Sequence, residues 1–117
     1  MKKKSIIEMT REIVRTFKKY DKTGTRTWTA EIAAKDLSYQ IGSLTKRMMQ
    51  QKGERYADGL SKKELKRYTA DELADILAEV LFISHELDID IQEAWNAMIG
   101  SDTAKIKARS GKKGAQK

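Results

Sequence analysis

Residues Leu73 to Leu87 carry apolar side chains around most of a helical circumference, and this stretch limits the fold more than any other feature of the chain. At about 3.6 residues per turn, Leu73, Ile76, Leu77, Val80, Ile83, Ser84 and Leu87 share one broad face. Ala74, Ala78, Leu81 and Phe82 extend the apolar character over much of the remainder. A helix of this kind is buried on more than one side. The chain has 117 residues, enough for one domain with one core, and no proline to interrupt a helix. The expectation is therefore an all-α fold. Four helices in one monomer hardly provide enough partners, so the bundle is expected to be completed by homo-oligomerisation, as a homodimer or homotetramer.

Apolar periodicity and helix-start signals place the four helices. The first is expected over residues 5–20, with Ile6, Met9, Ile13, Val14 and Phe17 on one side and Gly24 marking the turn. The second, over 29–51, presents Ile32, Ala33, Leu37, Ile41, Leu44 and Met48. The polar connection 53–68 reads as an ordered loop in which Ser61 and Glu64, at capping-box spacing, form a short helical turn. A second box, Thr69 with Glu72, is expected to start helix three, and Asp90 with Glu93 to start helix four, which runs to about Arg109. Residues 1–109 thus make one helical domain and 110–117 a basic, flexible tail.

The net charge of +7 raises the question of nucleic acid, and its location answers it. Nine of the 24 bases lie at Lys2 to Lys4 and from Lys105 onward, which leaves 15 bases against 17 acids in residues 5–104. The body is slightly acidic, so the ends read as solubilising tails rather than a surface for nucleic acid. There is no cysteine, which excludes disulfides and thiolate metal sites. No continuous apolar run suggests a signal peptide or membrane span, and the expected location is cytoplasmic.

Between Arg67 and Lys105 there is no lysine or arginine, yet nine carboxylates fall there. Glu72, Asp75, Glu79 and Glu86 form one stripe beside the core-facing side of helix three. Clustered acids need a counter-charge, and an all-oxygen stripe suits a hard divalent cation. On helix two, Asp36, Gln40, Ser43 and Arg47 share a side adjoining its apolar stripe. Asp36 and Glu79 could supply further ligands, and Arg47 could contact a phosphate. His85, the sole histidine, lies off the acidic stripe and reads as a surface or interface residue. Trp28 and Trp95 read as core or interface residues, with base stacking a second role open to Trp28. Asn96 is a candidate for sugar or phosphate.

The run ADELADILAEVLFISHELDIDIQEAW, Ala70 to Trp95, resembles the second half of the MazG-like all-α nucleoside triphosphate pyrophosphohydrolases. The similarity rests on the E-x-x-D of Glu72 and Asp75, the apolar helix after it, and the turn Leu87, Asp88, Ile89, Asp90, Ile91. It extends from about Trp28 to Arg109. The resemblance implies a helical oligomer that cleaves a nucleoside triphosphate between its α and β phosphates, giving monophosphate and pyrophosphate. It implies magnesium, with manganese as a substitute, held by Glu72 and Asp75, and phosphate contacts from Lys105 and Arg109. The first half of the family motif departs: alignment on Leu37, Gly42 and Leu44 puts Gln40 and Ser43 where the family has E-x-x-E. Both are neutral, so metal affinity falls and neither accepts a proton near neutral pH. A relative that binds nucleotide or a partner without turnover is the alternative expectation.

Overall fold

The computed structural model describes residues 3–24 and 27–115 and shows four α-helices, with no strand among the described residues. They are α1 (Ile6–Thr23), α2 (Ala30–Gln51), α3 (Lys62–Glu86) and α4 (Ile91–Ala115). The all-α expectation holds.

Local start signals explain the helix boundaries. Ser5 Oγ accepts the Glu8 amide at 3.1 Å while the Glu8 carboxylate accepts from the Ser5 amide, a closed capping box. Thr29 caps α2 through Ile32 N–H at 3.2 Å. Ser61 and Glu64 form a second complete box, and it opens α3 itself rather than a separate turn. Helix three therefore begins eight residues earlier than the Thr69 signal predicts, its cap being Ser61. Thr69 is interior, its hydroxyl donating to the Leu65 carbonyl at 2.8 Å, and Glu72 caps nothing. Asp90 Oδ1 accepts the Glu93 amide at 3.1 Å at the start of α4, which continues past Arg109. In the α2–α3 connection Asp58 and Gly59 hold φ values of 56° and 77°, the left-handed region where glycine is at ease and aspartate tolerated.

Packing centres on α3. α2 runs along α3 and α1 packs against the C-terminal half of α3, enclosing a core of Val14, Phe17, Ala33 and Phe82 edged by Ile13, Trp28 and Ile83. Phe17 sits between Trp28, stacked at 4.5 Å, and Phe82, tilted at 4.6 Å. Helix α4 has no extensive packing partner in its own chain. The radius of gyration, 19.0 Å, accordingly exceeds the roughly 13 Å of a compact chain this long.

Candidate acidic cavity at the helix seam

Because α2 lies along α3, the two polar flanks meet. Asp36 and Gln40 of α2, Asp75 and Glu79 of α3, and Trp28 line one cavity of about 300 Å³, closed from the α1 side by Phe17 and Tyr20. Gln40 Nε2 donates to Asp36 Oδ2 at 3.3 Å, one turn along α2. Glu79 is 3 % exposed, a carboxylate folded into the seam. Asp75 is more open, yet partial burial, and next the charges of Asp71 and Asp36, hold its carboxyl above the usual range.

Glu72 lies one turn N-terminal to Asp75 and does not line the cavity. Its carboxyl is also raised, first by partial burial and then by the charge of Asp75, while Arg47 opposes the shift. Arg47 therefore stands close enough to α3 for its charge to reach Glu72. Ser43 is half-buried on α2 and does not line the cavity. Trp28 does, but its ring is already engaged by Phe17 and its amide by Asp21 Oδ1 at 2.7 Å.

Four residues singled out in the sequence lie elsewhere. Asn96 borders a separate, largely apolar cavity of about 640 Å³ with Ile6, Leu77, Val80 and Trp95, and Lys105 and Arg109 are exposed on α4. His85 borders a third cavity beside Arg11 and Asp88, away from the acids. The α1 contribution, Phe17 and Tyr20, lies outside the resemblance, which starts at about Trp28; the sequence marks Phe17 only as part of the apolar side of the first helix.

Among the described residues, no three of Asp, Glu and His are grouped so as to hold a metal ion. The donor chemistry nevertheless suits magnesium, an oxygen-seeking ion that is commonly held by one or two carboxylates and otherwise by water and substrate phosphates. The raised carboxyls of Glu72 and Asp75 are groups whose charged form a cation would favour. Among the described residues no helix is long and apolar enough to cross a membrane. The chain matches no protein-family model, no curated protein and no solved structure.

Proposed function

We propose that this chain is a magnesium-dependent nucleotide pyrophosphohydrolase of the MazG-like kind, cleaving a nucleoside triphosphate to monophosphate and pyrophosphate. The observation that carries this reading is the meeting of Asp36, Asp75 and Glu79 with Trp28 and Tyr20 in one cavity. Asp75, with Glu72 one turn away, would hold magnesium, and Asp36 and Glu79 would supply further oxygen ligands in place of the missing E-x-x-E. Bound magnesium, or manganese in its place, would screen the charge that develops on the phosphates.

The residues of the chain supply the rest. Trp28 and Tyr20 offer aromatic surface to the base. A carboxylate of the cavity takes the proton of the attacking water as its oxygen joins the α phosphorus, and the bond from that phosphorus to the bridging oxygen breaks, its electron pair leaving on the bridging oxygen of the departing pyrophosphate. Gln40 cannot take that proton, but its amide fixes the Asp36 carboxylate at 3.3 Å. Lys105 and Arg109 can reach such a site only from another copy if α4 stays clear of its own body, which fits a homodimer or homotetramer acting in the cytoplasm.

The purified chain, assayed with a panel of nucleoside triphosphates plus magnesium or manganese, should release monophosphate and pyrophosphate in equal amounts. Asp75→Asn and Glu72→Gln should abolish release. A specific observation favours a second reading: Gln40 stands as a neutral amide at the seam, and among the described residues the acids that line the cavity are not grouped closely enough to hold a metal ion by themselves. A chain that has lost turnover and retains nucleotide binding would bind triphosphates in the same panel without product. Absence of both binding and product would eliminate both readings.

A further inference from the structure

On α3, just N-terminal to Glu72, two arginines converge on Tyr68. Arg47 Cζ, from α2, lies 4.6 Å from the ring centroid and Arg67 Cζ lies 5.2 Å from it. Two guanidiniums about one ring repel each other, and the ring face offsets part of that repulsion. Arg47 is also held in place. Its Nη1 donates to Gln50 Oε1 at 3.2 Å, and Gln50, 4 % exposed, donates in turn to the Tyr56 carbonyl at 3.0 Å and Asp58 Oδ2 at 3.1 Å. The α2–α3 connection thus braces the guanidinium through a buried amide, while Arg67 is exposed.

The position of this pair matters as much as its geometry. Tyr68 precedes Asp75 by seven residues on α3 and Arg47 follows Gln40 by seven on α2, so the pair lies roughly 10 Å from the acidic cavity along the same seam. Along α2 the order is aromatic (Trp28), acidic (Asp36, facing Asp75 and Glu79 across the cavity), then basic (Arg47, beside Arg67). A nucleoside triphosphate has the same order: base, cleaved bridge, terminal phosphates. We propose that Arg47 and Arg67, assembled on Tyr68, form the site for the departing pyrophosphate portion of the substrate. This assignment rests on the hydrolase reading of the adjoining cavity and fixes the direction in which the substrate lies. Two guanidiniums suit this role because each offers forked donors to phosphate oxygens.

Calorimetric titration of the full chain with inorganic pyrophosphate, with and without magnesium, tests the site apart from turnover. Arg67→Ala and Arg47→Ala should each weaken pyrophosphate binding about tenfold, the usual scale for loss of one charge-assisted contact. Arg67→Lys should restore part of the loss. Arg67 is exposed, so its alanine variant should melt like the parent, and it keeps the test decisive if Arg47→Ala fails to fold. Unchanged pyrophosphate affinity in Arg67→Ala, or no pyrophosphate binding by the parent, overturns the assignment. Turnover of triphosphates with KM unmoved in both alanine variants overturns the arginine site and leaves the hydrolase. Arginine-dependent pyrophosphate binding without turnover of any triphosphate supports the site and removes the hydrolase.

Discussion

A carboxylate at a helix seam reports its surroundings through its proton affinity, and Glu72 and Asp75 show this. Burial and neighbouring acids raise the carboxyls of Glu72 and Asp75, so the folded chain holds their protons more tightly than the unfolded chain does. Each therefore costs stability above its raised value, and the cost fades as pH falls through the ordinary carboxylate range. Asp75→Asn should consequently melt slightly higher than the parent at pH 7 without metal. The gain should stay within about 0.5 kcal/mol because water screens so open a site, and should shrink toward pH 4 in parallel thermal melts. Added magnesium should raise the parent's melting temperature and leave Asp75→Asn unmoved. Glu64 behaves oppositely: hydrogen bonds from Ser61 lower its carboxyl, so its contribution is present above the ordinary value and lost as pH falls. In the core, Phe82 is 2 % exposed against Phe17, and Phe82→Ala should cost about 3–5 kcal/mol in urea unfolding. Periodicity marked Leu73 and Phe82 alike as apolar, yet Leu73 is 53 % exposed. Spacing along one helix says which residues prefer burial and not where a partner helix lies.

Helix starts show the same division between local and tertiary information. Ser61/Glu64 and Thr69/Glu72 are both Ser/Thr-x-x-Glu boxes, and local spacing cannot rank them. The earlier one starts the helix because residues 62–68 contain no glycine or proline and Leu65, 2 % exposed, gains burial only as part of α3. Ser61→Ala should therefore cost about 1 kcal/mol, whereas Thr69→Ala, an interior position where alanine is the better helix former, should cost less than half as much. Urea melts of the two variants compare them directly, and the opposite ranking would place the start of α3 at Thr69. The acidic part of the site was legible on the same footing as the helices: Asp36 and Gln40 on one flank, Asp75 and Glu79 on another, all from 3.6-residue spacing. The Arg67–Tyr68–Arg47 cluster was not, because Arg67 and Tyr68 come from a segment expected to be a loop and meet Arg47 only when α2 lies along α3.

At the scale of the molecule, α4 is the element that one chain does not account for. Its 25 residues expose Trp95 at 60 %, Met98, Ile99 and Ile106 at 63 %, and α3 adds the exposed Leu73 and Leu77. A helix with so little packing in its own chain must rely largely on its own propensity, which is marginal in water, and Gly100 and Gly111 lower that further. Charge supplies a direction for its missing contact. Lys105, Lys107 and Arg109 lie at one end of α4, while the base-free segment from Tyr68 to Ala104 carries nine acids, so two copies with crossed α4 helices bring opposite charges together. Light scattering after size exclusion should give the mass of two or four chains, with the melting temperature rising with protein concentration. Trp95→Glu and Ile99→Glu should shift the population toward single chains, and high salt should weaken association more modestly. If the hydrolase site draws Lys105 or Arg109 from a neighbour, the same two substitutions should reduce turnover in step with loss of the oligomer, although neither residue lines the acidic cavity. A parent chain that stays at single-chain mass at high concentration would instead require α4 to fold back on its own body.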